Sequence, residues 1–445
     1  MSAPAKKEKK GVVKKTLAGG GVLIVESSPI LPLVNVAVAF RSGAAHDADG
    51  KEGLARITTR MLRRGSEGLS AVETENAIDR LGAEISAEVA TSTTSVYGQV
   101  LARNTGAFLE LLGRVLSLPT FPEDEFARLL RETKAEIIDA RDNDRALADR
   151  FFRRSLFDGH VYGRTIRGTE ASLDGLTTAQ ARAHHRKHFV RGNAVVAFAG
   201  DITPEEAERQ ATSLLAGLPD EPAVADPLTE PKPLTGRHLV FVDKPERTQT
   251  QILIGALGTS AHDEDHVPLS VANAIFGGTF TSRLMKEVRS KRGWSYGASS
   301  RLGLDRHRHS FVLWTFPAAT DAAPCIALEL DLLEGLVKEG VTDRELSFMK
   351  RYLSRSHAFE IDTALKRVHQ ELDVELLGLP ADYHHGWLHK VDAVTVEQAN
   401  AALKHRFAPE NLLITVVGTA KDLLPKVREA IPGLASERVV PYDAV

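Results

Sequence analysis

The sequence predicts mixed α and β structure folded as two homologous domains in tandem. Three observations carry this. The first is an internal repeat. Residues 174–200, DGLTTAQARAHHRKHFVRGNAVVAFAG, match residues 392–418, DAVTVEQANAALKHRFAPENLLITVVG, at an offset of 218 without a gap, and eight of the 27 positions are identical. Ala45-His46-Asp47 likewise returns as Ala261-His262-Asp263, at an offset of 216. The second is a break: residues 218–234 hold Pro219, Pro222, Pro227, Pro231 and Pro233, which excludes helix or central strand and reads as an extended linker. The third is that strand-length apolar segments and amphipathic helical segments are interleaved along the chain. The expected layout is a disordered basic tail over 1–16, a first domain over 17–218, a linker over 219–234 and a second domain over 235–445.

Each element has its own warrant. Residues 22–26 and 33–40 are apolar and β-branched, with a turn at Ser27-Ser28-Pro29 between them. A polar loop over 41–53 leads to a helix over 53–64. There Leu54, Ile57, Thr58, Met61 and Leu62 form one face, and Arg56, Thr59, Arg60 and Arg63 the other. A helix over 71–81 stops at Gly82, and residues 84–90 and 95–102 alternate as strands. Helices follow over 107–116, 123–140, 147–156, 178–189 and 204–215, with a buried strand over 194–199.

Composition bounds the function. With 445 residues the chain can hold more than one core, and its net charge of −3 suggests neither nucleic acid nor a polybasic membrane contact. The basic residues before Lys15 are followed by no apolar run, so they read as a tail rather than a signal peptide, and no run approaches a membrane span. Cys325 is the only cysteine, which rules out intrachain disulfides and thiolate metal clusters. A soluble, cytoplasmic protein is expected.

The stretch 277–296, GGTFTSRLMKEVRSKRGWSY, holds the candidate site. Gly277 and Gly278 break the chain, Thr279 or Thr281 can cap a helix, and Leu284, Met285 and Val288 give that helix an apolar stripe. Lys291 and Arg292 suit its C-terminus, Gly293 a left-handed cap, and Trp294-Ser295-Tyr296 the start of a strand. Arg289 in the last turn and Tyr296 past the reversal can then bring a guanidinium and a phenol to one point.

With these features, the chain resembles the pitrilysin/insulinase family of zinc peptidases, the inverzincins, over nearly its whole length. The family frame G-L-A-H-x-x-E-H-M-L stands here as Gly53-Leu54-Ala55-Arg56-Ile57-Thr58-Thr59-Arg60-Met61-Leu62, closing at Gly65-Ser66. Leu81-Gly82-Ala83, Pro119-Thr120-Phe121, Tyr162-Gly163-Arg164, Gly168-Thr169, Asn193 and Gly200-Asp201 also match. In the second half, S-R-L…R…G-x-x-Y stands as Ser282-Arg283-Leu284, Arg289, Gly293 and Tyr296. The resemblance implies an α+β fold of two tandem α/β domains, each a mainly antiparallel sheet flanked by helices, forming half of a clamshell.

The departure is in the metal positions. Arg56 and Arg60 stand where the family has two zinc-ligating histidines, and Thr59 where it has the general-base glutamate. A guanidinium has no lone pair for zinc, and a threonine cannot act as that base. Glu136, 76 residues beyond Arg60, stands at the third ligand position. Some bacterial members of the family are heterodimers in which one subunit carries H-x-x-E-H and the other keeps only the Arg/Tyr pair. The resemblance therefore implies a non-catalytic subunit, inactive alone. It would hold peptide through Arg289 and Tyr296 and have no cofactor of its own, zinc belonging to an H-x-x-E-H partner. The competing expectation is a non-enzymatic scaffold of the same fold.

Other patterns weigh less. Arg56 and Arg60 are open to two readings, a solvated helix face continued by Arg63 and Arg64 or a pairing with Glu136. Gly293-Trp294-Ser295-Tyr296-Gly297 spells G-x-S-x-G, but the nucleophile elbow needs a strand before the serine and a helix after it, the reverse of this context. His184, His185 and His188 fall where the repeat has Ala402, Leu403 and Arg406, which favours a structural helix. The run His262-Asp263-Glu264-Asp265-His266 reads as a solvated loop.

Overall fold

The structure is a computed structural model and describes residues 11–444. The first half carries β1 (Val13–Thr16), β2 (Val22–Ser27), β3 (Leu33–Phe40), α1 (Leu54–Met61), the short β4 (Gly65–Ser66) and β5 (Leu69–Ser70), α2 (Ala71–Arg80), β6 (Glu84–Val89) and β7 (Thr94–Leu101). It continues with α3 (Thr105–Ser117), α4 (Glu123–Asp139), α5 (Asp144–Leu156), α6 (Glu170–Asp174), α7 (Thr178–His188), β8 (Ala194–Gly200) and α8 (Pro204–Ala216). The second half carries β9 (Arg237–Asp243), β10 (Gln251–Leu257), α9 (His266–Asn273), β11 (Ala298–Leu302), β12 (Ser310–Thr315), α10 (Ala322–Glu339) and α11 (Asp343–Ser356). It ends with α12 (Ala364–Leu377), α13 (Trp387–Ala393), α14 (Val396–Arg406), β13 (Leu413–Gly418), α15 (Ala420–Glu429) and β14 (Leu434–Pro441). No helix among the described residues is long and apolar enough to cross a membrane.

The chain forms two compact units that do not follow the consecutive layout expected from the repeat. One comprises the chain up to Thr133, Ile166–Pro227 and Ala358–Leu379; the other comprises Lys134–Thr165, Leu228–His357 and the chain from Pro380 onward. Each unit takes one helix-bearing segment from the other half of the sequence. Residues 219–235 have no regular structure. The expected tail is shorter than 1–16, because Val13–Thr16 pairs antiparallel with β2; residues 1–10 lie outside the described part.

The first unit is built on a six-stranded sheet in the order β1-β2-β8-β3-β7-β6. Only β2 and β8 run parallel. One face packs Val34, Val36, Val38, Phe40, Val196 and Phe198 against helices carrying Phe108, Leu112, Phe189 and Leu214. The other face is lined by small residues, Ala37, Ala39, Ala197 and Ala199, and α12 lies on it through Ala364, Val368, Leu372 and Leu376. Alternation along β3 sorts these two sets, because successive side chains point to opposite faces.

The second unit repeats the plan with the order β11-β12-β10-β13-β9-β14. The sixth strand differs: β14 runs parallel to β9, whereas β1 runs antiparallel to β2. Ile252, Ile254, Phe311, Leu313 and Val416 face the main core. On the opposite face α5 takes the place that α12 has in the first unit; a Cβ at Gly255 would lie 2.9 Å from Phe152 Cζ. The repeated identities have structural causes. Thr177 with Gln180 and Thr395 with Gln398 form capping boxes at the starts of α7 and α14. Asn193 Nδ2 donates to Ser42 Oγ and to the His188 carbonyl, while Asn411 Oδ1 accepts from the Gly236 N–H.

Candidate functional site

Helix α1 carries the altered metal positions. It starts at Gly53, whose φ of 98° and close approach to Arg167 O, 2.9 Å from where a Cβ would lie, admit only glycine. Asp47 caps it, accepting from the N–H groups of Gly53 at 2.9 Å and Ala55 at 2.8 Å. Asp47 is buried, and burial pushes its carboxyl up to about 7 against the pull of those N–H groups. The repeat had marked Asp47, but only the fold shows that it holds this helix.

The faces of α1 differ from the periodic expectation. Thr59 is buried, not outward, and its hydroxyl donates to the Ala55 carbonyl at 2.8 Å. Arg56 and Arg60 are half-buried rather than solvated. Arg60 Nη1 donates to Thr133 Oγ1 at 3.0 Å, and its Nη2 lies 3.9 Å from Glu132. Arg64 takes the carboxylates of α4 more closely, Glu125 at 3.0 Å and Glu132 at 2.7 Å. Arg63 donates to the Ile85 carbonyl and pairs with Glu75. Glu136 is half-buried on α4, one turn beyond Thr133. This donor set does not fit zinc. Two guanidiniums supply no lone pair at the positions where imidazoles would bind, and the Thr59 hydroxyl, committed to its own helix, is no general base. Among the described residues, no cluster of three or more His, Cys, Asp or Glu side chains is placed to hold a metal ion.

The 277–296 stretch is helical, but with wide turns. Ala274–Gly278 and Met285–Lys291 both have π-helical geometry, a form that recurs at functional sites. Ser282, not Thr279 or Thr281, caps the second segment, its Oγ accepting from Met285 N at 3.4 Å. Leu284 and Val288 are fully buried, as the stripe predicts, and Met285 packs at the edge of the same core. Gly293 takes the left-handed conformation, φ 68°, and its N–H bonds to the Arg289 carbonyl. The strand begins at Ala298 rather than at Trp294, which leaves Tyr296 in the connecting loop.

Arg289 and Tyr296 do meet, and Phe280 joins them. The guanidinium carbon lies 4.4 Å from the Tyr296 ring centre and 4.8 Å from that of Phe280. Both rings are exposed, 69% for Phe280 and 76% for Tyr296. Among the described residues Arg289 makes no ion pair or hydrogen bond through its guanidinium, so its N–H groups remain available while its charge sits over aromatic rings. Its neighbours are committed. Arg283 bonds to both Glu345 oxygens and the Gly340 carbonyl, and Arg292 pairs with Glu287. Burial would raise the Glu345 carboxyl, but the hydrogen bonds from Arg283 and Thr342 outweigh it and hold it at about 2. Phe280 was not singled out in the sequence. Its signal was a large apolar residue between two threonines.

The lesser candidates are structural. Ser295 is buried and donates to the Gly297 carbonyl at 2.6 Å while accepting from Phe316 N, so it is no nucleophile. His184 and His188 stack at 4.3 Å, with His46 4.9 Å from His188. Burial and mutual repulsion hold His184 well below the usual imidazole range, and burial with the neighbouring His46 and Lys187 brings His188 to about 3. In the 262–266 run, Asp263 and Asp265 pair with Arg406, and His266 Nδ1 shares a hydrogen bond with Thr259 Oγ1.

Comparison with known proteins fits this geometry. The model described as insulinase (peptidase family M16) matches residues 22–170, and that described as the peptidase M16 inactive domain matches residues 175–353. A protein of Mycobacterium leprae named an uncharacterized zinc protease is 26% identical over 441 residues, covering 96% of this chain and 97% of its own. A Helicobacter pylori protein named a non-peptidase homolog is 20% identical over 90% of this chain and 92% of its own. The crystal structure of a peptidase M16 inactive domain from Pseudomonas fluorescens superposes with a TM-score of 0.86 at 27% identity, covering 92% of this chain and 98% of that one. With two models of one family matching successive stretches and the same fold shared over nearly its full length, the chain belongs to the insulinase (M16) peptidase family.

Proposed function

We propose that this chain is the zinc-less accessory subunit of a heterodimeric insulinase-family metallopeptidase. In this reading it binds an unfolded peptide and orients it for a partner subunit that carries H-x-x-E-H. The observation that carries the reading is the state of Arg289. Its guanidinium lies over the exposed Phe280 and Tyr296 rings on a half-buried residue, and among the described residues it has no internal acceptor. A cation kept only to stabilise the fold would pair as Arg283 and Arg292 do. Fixed guanidinium and phenol donors suit a peptide carbonyl, or the oxyanion that develops on it. The altered positions Arg56, Thr59 and Arg60 support a chain that contributes no metal, and the match to an inactive-domain model agrees. No step is assigned to zinc in this chain.

The test is reconstitution. Co-expression with an H-x-x-E-H chain of the same family and source is expected to give a 1:1 complex with peptidase activity, and each chain alone is expected to be inactive. If the H-x-x-E-H chain cleaves equally well without this one, the accessory reading fails. A complex that forms without gaining activity marks the chain as a scaffold.

A further inference from the structure

The first unit contains a cavity of about 500 Å³ that none of the site residues above explains. It lies on the sheet face covered by α12, towards the edge strand β6. Its floor is two rows across the sheet. Ser86, Tyr97, Ala37 and Ala197 are partners in one row, and Glu84, Gln99, Asn35 and Ala199 in the next. Leu365, Val368 and His369 of α12 form its wall. Three alanines in the floor leave the space.

The second unit shows what fills the corresponding place. Leu365 is the second residue of α12 after the Thr363 cap, and Arg145 is the second residue of α5 after the Asn143 cap. Tyr97 pairs with Ala37 on the central strand, as Trp314 pairs with Leu253. In the second unit Arg145 lies over Trp314, guanidinium carbon to ring centre 3.6 Å. Phe316 stacks on the same indole at 4.8 Å, and the Trp314 N–H donates to Gln251 Oε1 at 2.9 Å. In the first unit the arginine is replaced by Leu365 and Phe316 by Gln99, but the aromatic ring remains as Tyr97. Gln99 donates through Nε2 to Asn35 Oδ1, which leaves its carbonyl oxygen as an acceptor.

The charge around the cavity matches a cation. Glu84 and Asp79 line it, and Glu88 and Asp373 act on Tyr97. The cation among the lining side chains, Arg63, is already spent on Glu75 and the Ile85 carbonyl. We infer that this cavity is a binding site for a guanidinium, the side chain of an arginine supplied by another polypeptide, seated over Tyr97 as Arg145 is seated over Trp314. The inference rests on the peptide-binding reading only for what bears the arginine. The cavity itself belongs to the first unit and needs neither Arg289 nor a partner subunit.

The test uses the full chain alone, with 13C-labelled tyrosine and the Tyr97 ring signals assigned by Tyr97→Phe. Titration with N-acetyl-arginine amide is expected to shift the Tyr97 ring signals, whereas the uncharged citrulline analogue is expected to leave them in place. An unstructured decapeptide with one arginine is expected to bind about tenfold more tightly than its citrulline counterpart by fluorescence polarisation, the size of a cation–π contact of about 1.4 kcal/mol. Leu365→Arg installs the side chain the second unit already has, and should abolish both responses. Tyr97→Leu should abolish the arginine preference and serves if Leu365→Arg does not fold. Equal responses to arginine and citrulline, or an arginine preference that persists in a folded Leu365→Arg or Tyr97→Leu chain, would overturn the inference. Arg289→Ala should leave the Tyr97 response unchanged, so loss of the cavity and loss of the accessory function are separate results.

Discussion

The guanidinium of Arg289 lies over the Tyr296 ring, its carbon 4.4 Å from the ring centre, rather than donating to the phenol oxygen. On the proposed peptide-binding role, the two residues offer separate donors to one ligand. One substitution separates their roles. Tyr296→Phe keeps the ring under the guanidinium and removes one oxygen. Loss of one preorganised donor in a water-poor site costs about 10²–10³ in rate. The reconstituted complex carrying Tyr296→Phe should show that fall in kcat/KM with an unchanged melting curve. Full activity would remove the reason for treating this chain as more than a scaffold.

The same guanidinium also lies over the Phe280 ring, its carbon 4.8 Å from the ring centre. Phe280→Leu removes a stacking contact worth about 0.5–1 kcal/mol at an exposed site. Arg289 then samples more rotamers, so kcat/KM of the complex should fall by several-fold, less than in Arg289→Ala. Phe280→Tyr should restore it. Equal activity of the wild type and the Leu variant would mean that Tyr296 alone orients Arg289.

The purified chain should hold no stoichiometric zinc, because the guanidiniums of Arg56 and Arg60 offer no lone pair at two positions where the metal would need ligands. Elemental analysis is the measurement. One zinc per chain, lost on Glu136→Ala, would contradict it.

Much of the architecture was legible. The repeat gave two domains because identical positions such as Thr177 and Thr395 do identical capping work, and Leu284 and Val288 lie in the core where their spacing put them. Four things were not legible. The apolar stripes of α5 and α12 show that each is buried, but nothing in the pattern says which sheet covers it, so their placement in the opposite unit could not be read. Val13-Lys14-Lys15-Thr16 has no apolar alternation, and it becomes a strand because β2 offers it an open edge. Thr59 reads as outward by helical period, yet α1 is packed by both α7 and β6, which leaves little of it exposed. The wide turns around Met285 were hidden because a stripe at positions 284 and 288 fits an ordinary helix equally well.

Arg60 now acts within the fold, with its guanidinium on the fully buried Thr133 hydroxyl. Arg60→Ala removes that bond and leaves the hydroxyl without its donor, a loss of roughly 1–2 kcal/mol. Denaturant unfolding should show this loss, while kcat/KM of the reconstituted complex stays near wild type. A large fall in activity without a fall in stability would give Arg60 a role in binding instead.

Glu329 makes the stability of the second unit depend on pH. It sits on α10 at 1% exposure. Burial pushes the carboxyl up to about 8, with the Thr315 hydroxyl pulling the other way. The folded chain thus keeps a proton that the unfolded chain releases near the usual value of 4.5, so between these values the native state binds more protons and stability falls as pH rises. The neutral acid's contribution is full below 4.5 and is lost as pH rises through about 8. Glu329→Gln keeps the shape and cannot ionise. Thermal melts from about pH 5 to about pH 9 should show the wild-type Tm dropping by several degrees relative to the glutamine variant, with the gap opening towards the alkaline end. Curves that stay parallel across that range would show that the buried carboxyl is ionised throughout, or that the fold relaxes to hydrate it.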